Sequence, residues 1–445
     1  MGPRAPTLDP MPSASLIAPE HETPPSPMRF LHAADIHLDS PLTGLSAYPD
    51  APTELLRTAT RDAFDNLVGL ALEEAVDFLV IAGDLYDGSW KDFNTGIYFA
   101  HQMGRLKAAG IPVYLLHGNH DAESEMTRRL LLPDNVHVFP SSRAGTFLLP
   151  ELQVALHGRS FKTAATTENL VLGYPAPRPG WFNIGVLHTA LEGYAAHASY
   201  APCTLAEIQA KQYQYWALGH VHEHQVWRGE ATVAFPGNLQ GRNIRETGPK
   251  GALLVSAEGG EVQEVRQVFV DVLRWERLQV DVGAAQSLAQ ASRLVGSALE
   301  QLLGAQDSLL PLAVRVRLFG PSPAHGELFG LETQLRAEVL AQAVALAGDR
   351  IWIEKVVVDT EPRDTPQALA RRGDAVADLQ AILATACDDP VLIEALRGDF
   401  AEMLGKLPPE LAQDAPFLEA LRGGRLHDLV QSTVPSLLAR IASAE

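Results

Sequence analysis

The sequence is poor in features that would mark several classes of protein. It has only two cysteines, Cys203 and Cys387, which lie far apart and in no metal or redox motif. We therefore expect two reduced thiols in a cytoplasmic protein. No run of eighteen apolar residues occurs, so no membrane span is predicted. The string Gly-x-x-x-x-Gly-Lys-Ser/Thr is also missing, so any ATP hydrolysis must come from another chain.

Basic residues are scarce as well. The chain has 35 Lys and Arg against 54 Asp and Glu, which gives a formal net charge of -19. This balance argues against a protein that coats nucleic acid non-specifically, because phosphate binding needs clustered cations. It does not exclude an enzyme whose bound metal ions meet the phosphate locally.

The 445 residues, 46% of them hydrophobic and 20% charged, are enough for two or three globular domains. Residues 1–27 are rich in Pro and Ser, lack the pattern of a signal peptide and predict a disordered tail, with Met28 as an alternative start. We expect a first domain over residues 28–270, a small α/β domain over 271–365 and a helical segment over 366–445.

Strand and helix patterns alternate at the start of the first domain. The order β-α-β-α-β predicts an α/β fold with a mostly parallel sheet that is covered on both faces. Apolar periodicity and turn signals give these elements: strand 29–34, helix 54–75, strand 80–84, helix 93–109, strand 113–116, shorter strands 182–187, 215–218 and 233–235, and a closing hairpin over 252–270. In the second domain the same reasoning gives strands 275–282, 312–318 and 351–358 with helices 287–303 and 327–346.

Polar side chains of one chemical kind follow five of the predicted strands. The central one is Asp84, which ends the apolar run Val80–Gly83, and ligands gather beyond the carboxyl ends of strands in such sheets. Carboxylate, imidazole and amide groups together suit manganese, iron or zinc. The candidate ligands are Asp35, His37, Asp84, Asn119, His188, His220 and His222. Each alone could be a turn or packing residue, but together they suit two ions that share Asp84.

These residues also carry a family resemblance. Asp35-x-His37, Gly83-Asp84, Gly118-Asn119-His120-Asp121, His188 and Gly219-His220-x-His222 stand in the order of the calcineurin-like metallophosphoesterases. The resemblance covers about residues 28–270. Within that superfamily the chain resembles the SbcD-type DNA-repair nucleases, and its strings 37–41, 83–88 and 236–241 are most similar to the bacterial YhaO branch. The resemblance implies a β-sandwich flanked by helices, a small α/β capping domain and a helical C-terminal segment.

The resemblance also implies a role for each motif residue. One divalent ion, expected to be manganese, would be held by Asp35, His37, Asp84 and His222. A second would be held by Asp84, Asn119, His188 and His220. His120 would donate a proton to the leaving oxygen, and Asp121 would orient His120 through a hydrogen bond.

The function implied is that of a DNA exonuclease or endonuclease that forms a homodimer. A coiled-coil ATPase of the SbcC or YhaN type would be its partner, docked on the helical segment from Pro366. The alternative for this segment is a helical pair that packs on the small α/β domain of its own chain. The sequence leaves two alternatives open. One is a phosphatase or phosphodiesterase for nucleotides or other small phosphate esters, and the other is a non-catalytic metal-binding scaffold.

One position departs from the SbcD-type pattern. Asp87 stands three residues after Asp84, where those nucleases usually carry a histidine. An anion there would repel a DNA backbone unless a base or metal intervenes, so Asp87 favours the small-ester alternative. Arg242, Arg245 and Lys250 are possible phosphate contacts, but the sequence assigns none of them to DNA.

Overall fold

In the computed structural model, the described residues are 27–40, 51–87, 92–123, 131–191, 200–363, 375–386, 388–406, 418, 421 and 423–442. The predicted tail over 1–27 lies outside them except for its last residue. Among the described residues, no helix combines the length and the apolar character needed to cross a bilayer.

Fifteen strands are assigned within this part of the chain. They are β1 (Met28–Ala33), β2 (Phe78–Ala82), β3 (Val113–Leu116), β4 (Val136–Val138), β5 (Gly145–Leu149), β6 (Val154–Gly158), β7 (Phe182–His188), β8 (Tyr215–Gly219), β9 (Gln225–Arg228), β10 (Thr232–Phe235), β11 (Gly251–Glu258), β12 (Glu261–Phe269), β13 (Arg274–Asp281), β14 (Leu312–Ser322) and β15 (Ile351–Pro362).

Ten α-helices are assigned within the same part of the chain. They are α1 (Thr53–Glu73), α2 (Phe93–Ala108), α3 (Asn119–Glu123), α4 (Leu205–Gln209), α5 (Leu288–Gly304), α6 (His325–Gly330), α7 (Glu332–Ala347), α8 (Ala375–Ala386), α9 (Pro390–Lys406) and α10 (Leu426–Ala442).

The first domain is a sandwich of two six-stranded sheets. One sheet has the order β12-β11-β1-β2-β3-β4, and the other has the order β5-β6-β7-β8-β10-β9. Strands β1 to β4 run parallel, with the hairpin β11–β12 antiparallel at the edge. Apolar side chains of both sheets form one core between them, for example Phe30 and Val80 opposite Ile184. The other face of the first sheet packs on α1 and α2, through residues such as Phe64 and Phe99.

This architecture confirms the α/β class and the β-sandwich that the resemblance implies. The predicted mostly parallel sheet, covered on both faces, is also found: α1 and α2 cover one face of the first sheet, and the second sheet covers the other. Strands β6, β7 and β8 are buried at every position. Their sequences therefore lack the alternation of apolar and polar residues that would predict a second sheet.

The second domain has a parallel sheet of three strands, β13-β14-β15. One face of this sheet packs on α5 and α7. The predicted helix over 327–346 is in fact two helices, because the backbone leaves the helical region at Leu331 (φ -123°, ψ 38°) directly after Gly330. The last helix, α10, packs on α6 and β15, so this part of the C-terminal segment contacts the second domain.

His32, a buried histidine of β1, makes the free energy of unfolding depend on pH. Burial lowers the pKa of His32 from 6.5 to about 3, although its Nε2–H donates to the Leu218 carbonyl. The unfolded chain therefore protonates first as the pH falls below 6.5. We expect the His32 site to remove about 2 kcal/mol from the free energy of unfolding between pH 8 and pH 5. Denaturant unfolding of His32→Gln should show a pH dependence weaker by about this amount, and unfolding of the control His137→Gln should not.

Candidate metal centre

The predicted ligands sit on tight turns at the ends of the central strands. Asp35 (φ 50°), His37 (φ 46°) and Asp84 (φ 53°) all adopt the left-handed region, which non-glycine residues rarely occupy. The turns hold each other, since the N–H of Asp35 donates to the Gly83 carbonyl and that of His37 to the Asp84 carbonyl, both at 3.0 Å. Backbone strain of this kind clusters at functional sites.

The glycines of the motifs allow these turns to meet. A Cβ on Gly118 would lie 2.3 Å from Asp84 Oδ1, and one on Gly83 would lie 2.4 Å from His188 Nδ1. A Cβ on Gly219 would lie 2.1 Å from the carbonyl oxygen of Ala82. All three contacts are shorter than a side chain tolerates, so glycine at these positions is a steric requirement of the site.

The structure brings all seven predicted ligands together. Two groups of three residues have ligand atoms within 4.8 Å of one another. Each group contains three of the four ligands predicted for one ion, and we call the ligands of one ion a half-site. These groups are Asp35, His37 and His222, and Asp84, His188 and His220. The seventh ligand, Asn119, places Oδ1 3.0 Å from His188 Nε2. Asp84 also belongs to a third group, with His37 and His120, and so lies between the two half-sites.

The hydrogen bonds at one half-site favour a bound cation. His188 Nδ1–H donates to the Ala82 carbonyl at 2.9 Å, so in the neutral ring Nε2 carries the lone pair. That nitrogen faces two further acceptors, Asn119 Oδ1 at 3.0 Å and Asp84 Oδ2 at 3.3 Å. Three atoms with lone pairs that converge in this way need a proton or a metal ion between them. The combination of imidazole, amide and carboxylate suits a divalent metal.

The other half-site has the same character. His222 Nδ1–H donates to Glu246 Oε1 at 2.9 Å, so in the neutral ring its Nε2 carries the lone pair. This Nε2 faces His37 Nε2 at 3.3 Å. A carboxylate behind the ligating imidazole is the usual support of a metal-bound histidine. The residues present therefore fit divalent metal ions in both places.

The pKa values of Asp84 and His188 also favour a positive charge between these two side chains. Burial disfavours the charged form of Asp84, but the neighbouring His188 outweighs it and holds the pKa of Asp84 well below its usual range. Burial likewise opposes protonation of His188, but the charge of Asp84 and its hydrogen bond raise the pKa of His188 to about 9. A cation is thus stabilised beside Asp84, and a metal ion would compete with the proton for this position.

The two residues expected to be catalytic have different surroundings. His120 is half-buried, and its Nδ1 lies 2.9 Å from Asp87 Oδ1. Burial lowers the pKa of His120, but the hydrogen bond with Asp87 and the charge of Asp84 outweigh it, so the net shift is upward. The predicted hydrogen bond from Asp121 to His120 is corrected here, because Asp87 makes it instead.

Asp121 is held by backbone groups. Its carboxylate accepts hydrogen bonds from the N–H groups of Leu85 (3.2 Å), Tyr86 (2.9 Å) and Gly118 (3.0 Å). It thereby ties the loop after β2 to the start of α3. Asp121 fixes the relative position of the loops that carry Asp84 and His120 and does not touch the imidazole.

Sequence reasoning missed Glu246, which no motif marks and which reaches His222 only in the folded chain. Its carboxylate also accepts from Arg242 Nη2 at 2.9 Å and from Asn238 Nδ2 at 3.0 Å. Of the possible phosphate contacts, Lys250 is buried and its amine donates to the His222 carbonyl at 3.1 Å, so it supports the site from behind.

Replacing Glu246 with glutamine should weaken divalent metal binding by about 10- to 100-fold, since outer carboxylates orient ligating histidines. Titration of the metal-free protein with Mn²⁺ by calorimetry measures this change. Glu223→Gln, an exposed carboxylate one residue from His222, is the matched control and should bind as the wild type does. Equal affinities in the two variants would contradict the assigned role of Glu246.

Comparison with known proteins agrees with the geometry of the site. The family model of calcineurin-like phosphoesterases matches residues 28–224, and the model of the middle domain of metallophosphoesterase YhaO matches residues 275–361. The chain is 34% identical to the uncharacterized metallophosphoesterase YhaO of Bacillus subtilis over 300 residues, 66% of this chain and 72% of that protein.

More distant similarity extends to a DNA repair protein, a nuclease subunit and a solved phosphatase. The DNA double-strand break repair protein Mre11 of Sulfurisphaera tokodaii is 25% identical over 56% of this chain and 64% of that protein. The SbcD component of the nuclease SbcCD of Staphylococcus saprophyticus is 24% identical over 59% and 74%. A solved dimetal phosphatase from Danio rerio aligns over 55% of this chain and 100% of its own, at 14% identity and a TM-score of 0.34. The 34% identity to YhaO over 72% of its length, together with the two family models, shows that the chain belongs to the calcineurin-like metallophosphoesterases, in the branch that contains YhaO.

Proposed function

We propose that this metallophosphoesterase is a two-metal phosphodiesterase that cleaves DNA, with manganese as its preferred ion. The observation that carries the proposal is the position of Asp84, which is shared by two groups of potential ligands next to the half-buried His120. Two bound divalent ions would polarise the phosphate and supply a nucleophilic water at neutral pH.

His120 serves as the proton donor for the leaving 3′-oxygen in this proposal. Its Nδ1–H is engaged with Asp87, so Nε2 is the nitrogen that remains for the substrate. Its main-chain N–H donates to Asp84 Oδ1 at 3.0 Å, which ties its position to the centre of the metal site. A positioned acid of this kind contributes about 10²- to 10⁴-fold to a rate.

The negative charge of Asp87 is compensated by its neighbours, which supports a DNA substrate. Its carboxylate pairs with His120 on one oxygen and accepts from Ser40 Oγ at 2.6 Å on the other. Arg242 Nη1 lies 3.9 Å away. His120 and Arg242 are thus the basic groups that the sequence analysis required near Asp87, and they reduce the repulsion expected between Asp87 and a phosphate backbone.

The partners in this proposal follow the named relatives. One of them is a DNA double-strand break repair protein and another is part of a nuclease, so DNA is the proposed substrate. A coiled-coil ATPase of the SbcC or YhaN type and a second copy of this chain are the proposed protein partners. The cytoplasmic location predicted from the two cysteines is kept in the proposal.

A second candidate is hydrolysis of nucleotides or other small phosphate esters. The net charge of -19 favours it, and the metal site serves both chemistries equally. A non-catalytic scaffold is the least supported alternative, because a structural metal centre has no need of His120 beside Asn119.

Digestion of end-labelled duplex and single-stranded DNA with Mn²⁺, beside bis(p-nitrophenyl) phosphate and a nucleotide, tests the proposal. We expect DNA to be degraded in a manner that EDTA abolishes, with the product ladder giving the polarity. Cleavage of the small esters alone, also in the presence of the partner ATPase, would overturn the DNA proposal in favour of the second candidate. Metal binding without cleavage of any substrate would favour the scaffold.

A further inference from the structure

Arg242 lies in the loop between β10 and β11, and its guanidinium contacts residues that support the metal centre from two sides. Its Nη2 donates to Glu246 Oε1 at 2.9 Å, and the same carboxylate oxygen accepts from His222. Its Nη1 lies 3.4 Å from Ser40 Oγ and 3.9 Å from Asp87 Oδ2. Only 19% of the side chain is exposed, so this cation is largely withdrawn from bulk water.

The contacts of Nη1 lead on to histidines of the site. Asp87 pairs through its other oxygen, Oδ1, with His120 at 2.9 Å. The main-chain N–H of Ser40 donates to the His37 carbonyl at 3.1 Å. The ring centroids of His37 lie 5.0 Å from those of His120 and 5.2 Å from those of His222. The guanidinium is therefore beside the half-site that contains His37, on the side where His120 stands.

The two edges of the guanidinium are used differently. The edge formed by Nε and Nη2 faces the carboxylate of Glu246, with Nε 3.4 Å from Oε2. Among the described residues, the acceptor closest to Nη1 is the Ser40 hydroxyl at 3.4 Å, which is a long hydrogen bond. Nη1 carries two N–H groups, so it keeps donor capacity for an oxygen that enters the metal centre.

The loop fixes Arg242 in this position through its main chain. The N–H of Arg242 donates to Glu246 Oε2 at 2.7 Å. The indole Nε1–H of the buried Trp275 donates to the carbonyl of Gly241 at 2.9 Å. A donor that is held in place before the substrate arrives needs little reorganisation during the reaction, which is the condition for strong electrostatic stabilisation.

We propose that Nη1 of Arg242 donates a hydrogen bond to a non-bridging oxygen of the scissile phosphate and makes Arg242 a catalytic residue; the inference rests on the proposed two-metal phosphodiesterase. Hydrogen bonds from arginine to phosphate are charge-assisted and strong. Negative charge on the non-bridging oxygens increases as a hydroxide attacks a phosphodiester, so a fixed guanidinium stabilises the transition state more than the substrate. Arg242 contacts the phosphate and not the leaving group, so it acts on DNA and on small esters alike.

Binding of inorganic phosphate to the Mn²⁺-loaded protein tests this assignment without relying on catalysis. We expect Arg242→Gln to raise the dissociation constant, measured by calorimetry, by about 10- to 100-fold, the usual effect of losing a hydrogen bond between charged groups. The value of kcat/KM for bis(p-nitrophenyl) phosphate should fall by at least the same factor. Arg242→Lys should recover only part of the loss, because a single amine cannot hold Glu246 and a phosphate oxygen at once.

Two indirect roles for Arg242 predict different results. A residue that acted only through Asp87 on His120 would slow the cleavage of DNA and leave phosphate binding and the small ester unchanged. A residue that acted only through Glu246 on His222 would lower the affinity for Mn²⁺, and at saturating Mn²⁺ the phosphate affinity would equal that of the wild type. Either result would overturn the assignment.

Arg245→Gln is the matched control, because it removes an exposed cation three residues further along the same loop. Its phosphate affinity should equal that of the wild type, and a loss as large as in Arg242→Gln would overturn the assignment, since net charge alone would then explain both. A wild type that binds phosphate through Arg242 and hydrolyses only the small ester would support the assignment and overturn the DNA proposal. A wild type that neither binds phosphate nor hydrolyses any ester would overturn both proposals.

Discussion

Asp84→Asn should lower the rate of metal-dependent phosphodiester hydrolysis by about 10³-fold or more, because several kcal/mol of charge stabilisation depend on the bound ions. Asp84 is the only carboxylate in two of the donor groups, those with His188 and His220 and with His37 and His120. Asparagine keeps the shape of the side chain and the oxygen that accepts the His120 N–H, but it removes the negative charge. The loss should therefore arise from metal binding and not from misfolding.

Two measurements separate these causes. Elemental analysis should find fewer than two ions on Asp84→Asn, while its circular dichroism and thermal unfolding remain close to those of the metal-free wild type. Asp65→Asn changes an exposed aspartate that pairs with Arg105 and should keep both activity and metal content. A variant at Asp84 that retained two ions and full activity would show that Asp84 is not the shared ligand.

The meeting of the seven proposed ligands at one place could be predicted because they lie on the ends of strands or in the turns just after them. Parallel strands β1, β2 and β3 bring their carboxyl ends to one edge, so residues such as Asp35, Asp84 and Asn119 meet without any knowledge of the loops. The motif glycines carry the same information, since each stands where a Cβ would collide with a neighbouring turn. Local chain direction and parallel pairing thus explain how Asp35, Asp84 and Asn119 meet, while His188 and His220 reach them from the second sheet.

The hydrogen bonds that hold the ligands and His120 in place could not be predicted, because only the folded structure shows which groups they join. Adjacency in sequence suggested Asp121 as the partner of His120, yet three backbone N–H groups hold its carboxylate. Asp87, read from the sequence as a repulsive charge, is the residue that pairs with His120. Glu246 reaches His222 from a loop with no motif of its own.

Parts of the fold escaped prediction for a related reason. Strands β4, β5 and β9 are three to five residues long and only partly buried, so their hydrophobic patterns are weak. The break between α6 and α7 lies at an ordinary leucine after a glycine, within a run of helix-forming residues. Tertiary packing decides such positions, and local propensity is a weak guide to them.

His120→Gln should reduce cleavage of DNA by about 10²- to 10⁴-fold, the usual contribution of a positioned general acid. The leaving 3′-oxygen of DNA is a poor leaving group that needs a proton, whereas p-nitrophenolate leaves without one. We therefore expect a much smaller loss with bis(p-nitrophenyl) phosphate. The ratio of kcat/KM for the two substrates, measured on the same preparation, isolates the role of His120 from any general damage.

This ratio also decides between two roles for His120, because the side chain lies in one donor group with His37 and Asp84. Loss of a metal ligand would slow both substrates alike and would lower the metal content, whereas loss of a proton donor would slow mainly the cleavage of DNA and leave the metal content unchanged. Asp87→Asn should show the same substrate dependence with a smaller loss, since it removes the charged partner of His120 but keeps a hydrogen-bond acceptor. His101→Gln, an exposed histidine on α2, should leave both rates unchanged. Equal losses on both substrates in His120→Gln would contradict its assignment as the proton donor.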